Sequence, residues 1–343
     1  MVFGAFFKGI REACRHWRGL LLFWLAGLLL AGGAALSAGE ALESTLPRTE
    51  SAAEMAEGWD WLWHREFSEQ VDPASPAASI APWQVGALQF MRTFESYATG
   101  GLRTDVPIWL FWLGIAYMLT STFLTGGMLG LFSEEESRFT LRFFFDRAGR
   151  YFPALLGILV AAQLLYWILW GPVGGLLEGW YGAVRGDATT EWTPTLVMWA
   201  GALLLTAGGF FVHMWSDYAR AAAAAWDRMG LVPTLFGSFG FVRRNLGGVL
   251  GLFYITVLLG AAVVFLYGLI YGWVESTSGP GLFLTFALSQ LFILTLVWLR
   301  MVFLAGQTAF YRSVMGMPAL ASPPGPVPPE SERPLSEEAD LAE

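Results

Sequence analysis

The chain is poor in charge and almost without cysteine. Only 14% of its 343 residues are charged, against about 25% in a soluble domain. Cys14 is the only cysteine, which excludes an intrachain disulfide and a cysteine-held metal cluster. Lys8 is the only lysine and Asn245 the only asparagine, a bias toward Arg, Ala and Gly that carries no functional message. Three histidines, His16, His64 and His213, are scattered along the chain. What is present instead is apolar: 55% hydrophobic residues, with 17 Trp and 27 Phe, and a mean hydropathy of +0.51. That much apolar surface cannot be hidden inside a single globule of this size, so an ordinary soluble fold is excluded. Disorder over most of the chain is excluded as well.

A bilayer core is crossed by roughly 20 apolar residues in helix. Six segments reach that length, over about 19–38, 106–132, 153–177, 195–215, 246–273 and 281–304. The expected fold is therefore all-α: a polytopic membrane helical bundle of six transmembrane helices. Arginines gather in alternate connections. Lys8, Arg11, Arg15 and Arg18 precede the first span; Arg138, Arg142, Arg147 and Arg150 lie between the second and third; Arg220, Arg228, Arg243 and Arg244 lie between the fourth and fifth; Arg300 and Arg312 close the sixth. The opposite connections carry one basic residue, Arg185, or none. By the positive-inside rule both termini are expected to be cytoplasmic. The basic start and small residues at 34–38 also describe a secretory signal; the length of both favours an uncleaved span.

This divides the chain into a cytoplasmic elbow and first span (1–38), an extracytoplasmic acidic segment (39–105), the five remaining spans (106–314) and a Pro-rich acidic tail (315–343). In the second part, Met55, Trp59, Trp63 and Phe67 repeat every fourth residue opposite Glu50, Glu54, Glu57, Asp60, Glu66 and Glu69, predicting an amphipathic helix over 51–69. A break around Asp72-Pro73 and a second helix over 83–97 follow. These pack on the outer ends of the spans or form a groove for lipid or peptide. The tail contains Pro323, Pro324, Pro326, Pro328, Pro329 and Pro334 and too little apolar area to fold, so it reads as solvated chain.

Each helix running outward is approached by aromatics and arginines: Phe6-Phe7 with Arg11, Arg15 and Arg18; Phe143-Phe144-Phe145 with Arg147 and Arg150; Phe236, Phe239 and Phe241 with Arg243 and Arg244. Aligning Arg150 with Arg244 also pairs Leu156 with Leu250 and Gly157 with Gly251. The pattern predicts three hairpins, each entered through an interfacial elbow helix whose rings lie at headgroup depth while arginine reaches phosphate. Ser133-x-x-Glu136 has the spacing of a capping box opening the second elbow. These seven arginines are candidates for anchoring or for anionic-lipid binding.

The fourth span continues past Ser216 into an alanine run, with Asp217 and Arg220, three apart, placed to pair with each other and Asp227 and Arg228 with neighbouring elbows. Surface pairs of that kind contribute tenths of a kcal/mol. Few polar groups lie within the spans, and Gln163, Thr206, His213 and Gln290 are the residues that could line a cavity. No span interior holds a carboxylate on this reading, since Glu178 and Glu275 fall at outer ends. Gly126-x-x-x-Gly130, Gly247-x-x-x-Gly251 and Gly171-x-x-x-Gly175 have the spacing that lets helices approach, the last beside Pro172, where the third span should end or kink. The chain contains no His-Glu-x-x-His, Gly-x-Ser-x-Gly or P-loop. His64 with Glu66 and Asp60 fits no metal-ligand spacing. No metal or cofactor is expected.

Three stretches carry a resemblance: Thr125-Gly126-Gly127-Met128-Leu129-Gly130; Phe144-Phe145 with Arg147 and Arg150; and Asp217-Tyr218-Ala219-Arg220 with Phe241-Val242-Arg243-Arg244-Asn245. They resemble a broad group of uncharacterised bacterial six-helix membrane proteins, similar to the membrane domain attached to some glycerophosphodiester phosphodiesterases. The resemblance covers roughly residues 1–315 and implies no catalytic activity, because the phosphodiesterase domain itself has no counterpart here.

The leading expectation is a non-enzymatic structural, assembly or lipid-interacting protein, with phospholipid and other membrane proteins as partners and no nucleic acid. The alternatives are a transporter or permease subunit without an intramembrane carboxylate, and last an intramembrane enzyme, which needs His213 and Arg300 to converge with Asp217. The formal net charge of −8 does not exclude anionic partners. Residues 38–105 contribute −7 and residues 313–343 contribute −5, leaving +4 elsewhere, concentrated as arginine.

Overall fold

The computed structural model describes residues 1–45, 62, 65, 66, 69, 108–134, 139–226, 230–271, 273, 274 and 279–317. Nine α-helices follow one another among these: α1 (Val2–Arg15), α2 (Trp17–Thr45), α3 (Ile108–Ser133), α4 (Leu141–Ile168), α5 (Gly174–Asp187), α6 (Trp192–Trp226), α7 (Leu231–Arg244), α8 (Leu246–Tyr271) and α9 (Gly279–Met315). The chain is a polytopic helical bundle. Five continuous helical stretches are long and apolar enough to cross a membrane, and α1 and α2, bent by 73° at their junction, qualify as a sixth when taken together as one span. Of the segment foreseen over 51–69 only residues 62, 65, 66 and 69 are described; the segment over 83–97, the tail beyond 317, and Asp227 and Arg228 lie outside the described residues.

Two of the three elbows exist as separate helices. α1 and α7 are each 14 residues long, and each is parted from its span by one residue. His16 breaks the first at φ −102°, ψ 34° and Asn245 the second at φ −119°, ψ 26°. In both, the breaking residue's backbone N–H still closes onto the carbonyl four residues back, Glu12 or Phe241. The chain thus turns without losing the last helical bond. Asn245 adds a side-chain bond to the Phe241 carbonyl at 3.0 Å.

The second elbow differs from expectation. α4 runs from Leu141 through Arg147, Arg150 and Pro153 without a break. Ser133 ends α3, and Glu136 of the expected capping box lies outside the described residues; α4 is capped by Thr140, whose hydroxyl accepts from the Phe143 N–H at 3.2 Å. No elbow is needed because Phe144 and Ala148 pack against α3 and already set the direction. Pro172 does not end the helix either. A π-turn over Leu169–Val173 widens the backbone around the ring that would clash with the preceding turn, and α5 continues the axis to Asp187.

Burial is concentrated at one end. The buried stretches are the last third of α6 (Val212 to Ala225), the last third of α9 (Met301 to Arg312), the second half of α3 and the first half of α4, with α1 laid along α9. The other halves of α6, α8 and α9 expose Leu203, Phe265 and Phe283 and their neighbours. The cause is the solvent. Lipid is as apolar as leucine and does not drive helices together. α6 and α9, with 35 and 37 residues, are about 53 and 56 Å long, some 20 Å more than a hydrocarbon core requires. The excess at the basic end is where water would meet apolar side chains, and there the helices close on one another.

Close approach at that end depends on glycine. Cβ atoms on Gly127 and Gly130 would fall within 2.6 Å of the Phe144 ring and 2.5 Å of Arg147 Cβ, and one on Gly126 would crowd Ala148. Gly126-x-x-x-Gly130 is thus the α3–α4 contact. Gly247-x-x-x-Gly251 is not a comparable contact: Gly247 faces open space and Gly251 meets only Val2, while the neighbouring Gly248 receives the Phe310 ring. Gly171 and Gly175 meet nothing within 4 Å.

Candidate functional site

Where α6 enters the packed end, Asp217 sits 6% exposed. Each of its carboxylate oxygens is engaged. Oδ1 accepts from Arg220 Nη1 at 3.3 Å, one helical turn away. Oδ2 accepts from Gln307 Nε2 of α9 at 3.2 Å and lies 3.5 Å from His213 Nε2. This overturns one expectation: the Asp217–Arg220 pair, where α6 continues past the fourth span, is not on the surface. The reason is α9. Its Gln307, Thr308 and Phe310 cover the face of α6 that a lone helix would leave in water. Gln307 was visible in the sequence only as a neutral polar residue, because nothing in its spacing points across 90 positions to Asp217.

The surroundings of Asp217 are more basic than acidic. His213 is half-exposed. Arg300 of α9 acts on Arg220 as a like charge, and Tyr166 of α4 lies within the field of both Asp217 and Arg220. The Tyr166 hydroxyl also reaches the Gly209 carbonyl at 3.4 Å. His213, Asp217 and Arg220 therefore come together along one stretch of α6. Tyr218, next to Asp217, packs its ring on Phe241 and Phe310 with its hydroxyl fully buried.

A second polar knot ties the same end. Arg147 of α4 pairs with Glu134 just past α3, with side chains only 10% and 4% exposed. Its guanidinium also lies over the Phe143 ring. Arg312 of α9 donates to the Ser133 carbonyl at 2.7 Å, placing a cation on the C-terminal carbonyls of α3. Arg147 is thus an internal strut instead of the lipid anchor expected of it. Arg150, Arg243 and Arg244 are exposed, as are Arg11, Arg15 and Arg18. Arg11 and Arg15 lie 3.8 and 4.0 Å from Glu12, and Arg18 stands over the Trp17 ring. The Glu12 carboxyl is held below its ordinary value, first by the His16 imidazole 3.6 Å away; partial burial opposes this, and Arg15 and Arg11 add to it. Phe3, Phe7, Trp17, Phe236 and Phe239 are exposed around this basic rim.

The remaining polar candidates do not gather. Gln163 and Thr206 are exposed, and Gln290 accepts from the Trp24 indole at 3.1 Å, joining α9 to α2. A pocket of about 550 Å³ lies between α6, α7 and α9, walled by Trp226, Phe236, Phe241, Arg244 and Tyr311. A smaller one of about 310 Å³ lies between α2 and α9 at Trp17, Leu20 and Trp298. None of Gln163, Thr206, His213 and Gln290 lines either. Among the described residues no group of three or more His, Cys, Asp or Glu side chains could hold a metal ion.

Fold and site define a multi-pass helical membrane protein with one packed, arginine-rich end and a buried carboxylate within it. No family model, no curated protein and no solved structure matches the chain.

Proposed function

We propose that the protein is a non-enzymatic component of the bacterial inner membrane, a structural or assembly module that holds anionic phospholipid at its arginine-rich, cytoplasmic end. One observation carries the reading: packed core, exposed arginines and exposed aromatics all share one end of the bundle. Arg11, Arg15, Arg18, Arg243 and Arg244 with Phe3, Phe7, Trp17, Phe236 and Phe239 form a collar of the composition that favours headgroup depth, at roughly 1 kcal/mol per basic residue near an anionic surface. The stretches that suggested kinship with the membrane domain of glycerophosphodiester phosphodiesterases fall mainly in this end, around Gly126–Gly130, Phe144, Asp217–Arg220 and Phe241. That kinship is part of the same reading.

The test is the lipid that stays with the purified protein. Phosphatidylglycerol and cardiolipin should be enriched over the bulk membrane, and replacing Arg11, Arg15, Arg18, Arg243 and Arg244 together by Gln should abolish the enrichment. Equal lipid composition in the two preparations would refute it.

A second reading, transport, is favoured by one observation, the buried Asp217 beside half-exposed His213. It requires that proteoliposomes dissipate a pH gradient and that Asp217→Asn stops them.

A further inference from the structure

The pocket of about 550 Å³ between α6, α7 and α9 is walled by rings. Trp226 of α6 donates its indole N–H to the Tyr311 hydroxyl of α9 at 3.1 Å. Phe241 of α7 lies on Tyr311 with ring centroids 4.6 Å apart. Phe236, also on the wall, is 76% exposed. Gly237 and Gly240 keep the α7 side open, since a Cβ on either would meet nothing within 4 Å. Arg244 borders the pocket, and Arg243 beside it is exposed as well. An aromatic-walled recess of this kind suits a proline-rich segment in polyproline II conformation, whose rings fill the slots and whose backbone is already extended before it binds.

The chain's own continuation has that chemistry and starts at the pocket. Val314 and Met315, in the last turn of α9, belong to the wall. There the helix ends in a Schellman turn: Gly316 takes φ +65°, and the Met317 N–H closes onto the Arg312 carbonyl at 3.0 Å. Met317 packs back against the core instead of continuing along the axis. In the sequence that follows, Pro323, Pro326 and Pro329 recur at intervals of three. Polyproline II has three residues per turn, so these rings would share one edge, about 19 Å long. The α7 wall, from Pro233 to Asn245, is about 18 Å long. Charge matches too. Glu330 and Glu332 follow the last of these prolines, and residues 313–343 hold six acids and one base, opposite in sign to Arg243 and Arg244.

We propose that residues 323–329 of the same chain dock in this pocket as a polyproline II helix. Its proline edge lies on Trp226, Phe236 and Phe241, and the acids beyond it face Arg243 and Arg244. The tail thereby covers rings that the helices leave open, and it competes with headgroups for two arginines of the collar. The inference goes beyond the lipid-binding reading and does not depend on it.

Spin labelling of the full chain in detergent, without added lipid, tests it. Cys14→Ser removes the native thiol, and Val327→Cys carries a nitroxide off the proline edge. Its paramagnetic resonance spectrum should report motion several-fold slower than the same label at Leu341→Cys. Phe236→Ala, at an exposed ring, should free the label. So should Pro323→Ser, Pro326→Ser and Pro329→Ser together, which alter no residue of the helices. Arg244→Gln or high salt should free it in part, and an excess of synthetic peptide spanning residues 318–334 should displace it. A label at Val327 as mobile as one at Leu341 would overturn the proposal and leave the pocket to lipid or a separate partner. Slow motion that survives both Phe236→Ala and the proline replacements would overturn it as well. Slow motion that disappears on dilution of the protein would assign the pocket to a second copy's tail and overturn docking within one chain. Lipid retention is not read in any arm, so failure here and failure of the lipid-binding reading are separate results.

Discussion

Asp217 is surrounded by residues that each depend on its charge. Arg220 is four-fifths buried beside it, and Gln307 donates to it from another helix. Asp217→Asn keeps the shape and removes the charge, leaving Arg220 without compensation. The expected destabilisation is about 3 kcal/mol, read as a lowered thermal midpoint in detergent; Gln307→Leu should lose closer to about 1 kcal/mol. An Asp217→Asn midpoint equal to wild type would show that the pair contributes nothing. The sequence revealed Asp217 and Arg220 as partners because they lie three apart on one helix. It hid their burial, because burial is decided by α9, which is distant along the chain. Arg147 follows the same logic: its residue type and its position beside Arg150 suit an anchor, and only the fold brings Glu134 to it. Glu12 gives a pH test. Its carboxyl titrates below the ordinary 4.5 in the folded chain. It therefore stabilises the fold above the ordinary value, and that contribution is lost as pH falls through the lowered one. Amide exchange in α1 should accelerate on acidification across that window, and Glu12→Gln should flatten the response.

At the level of elements, the long apolar helices were legible because roughly 20 apolar residues in a row admit one reading. Their junctions were less so. The outward approaches at Arg15 and Arg244 break, while the one at Arg150 does not, although all three share aromatics and arginines. The difference lies in what the approach helix packs on. α1 packs along α9, and α7 packs against α6, so each must turn to enter its span; α4 begins already packed on α3. The α1–α9 crossing is close enough that a Cβ on Gly9 would meet the Val302 carbonyl and the Gly306 backbone. Backbone cannot yield as a flexible side chain can. Gly9→Val should therefore detach α1, lowering the thermal midpoint and raising proteolysis near His16. Gly247→Val, at a glycine of the Gly247-x-x-x-Gly251 pair, should be tolerated because nothing lies within 4 Å of it. Equal behaviour of the two variants would mean that α1 contributes no packing.

The whole molecule has a sidedness that one residue can report. Cys14 is the only cysteine and is exposed on α1. If the arginine-rich end is cytoplasmic, a membrane-impermeant maleimide should label it in inverted vesicles and not in intact spheroplasts; the reverse pattern would invert the orientation. Composition made the membrane class and the basic rim visible, but not where the helices would grip one another. Hydropathy treats residues 281–304 of α9 as the important part, yet Met301 to Arg312, the less apolar continuation, carries the packing. Because α6 and α9 are gripped at one end, with apolar side chains exposed toward the other, their described outer halves behave like levers clamped at the base. A thicker or thinner bilayer is met by changing their tilt, at little loss of packing, while the clamp around Asp217 stays closed. Any strain the bilayer exerts on these levers is delivered to that clamp.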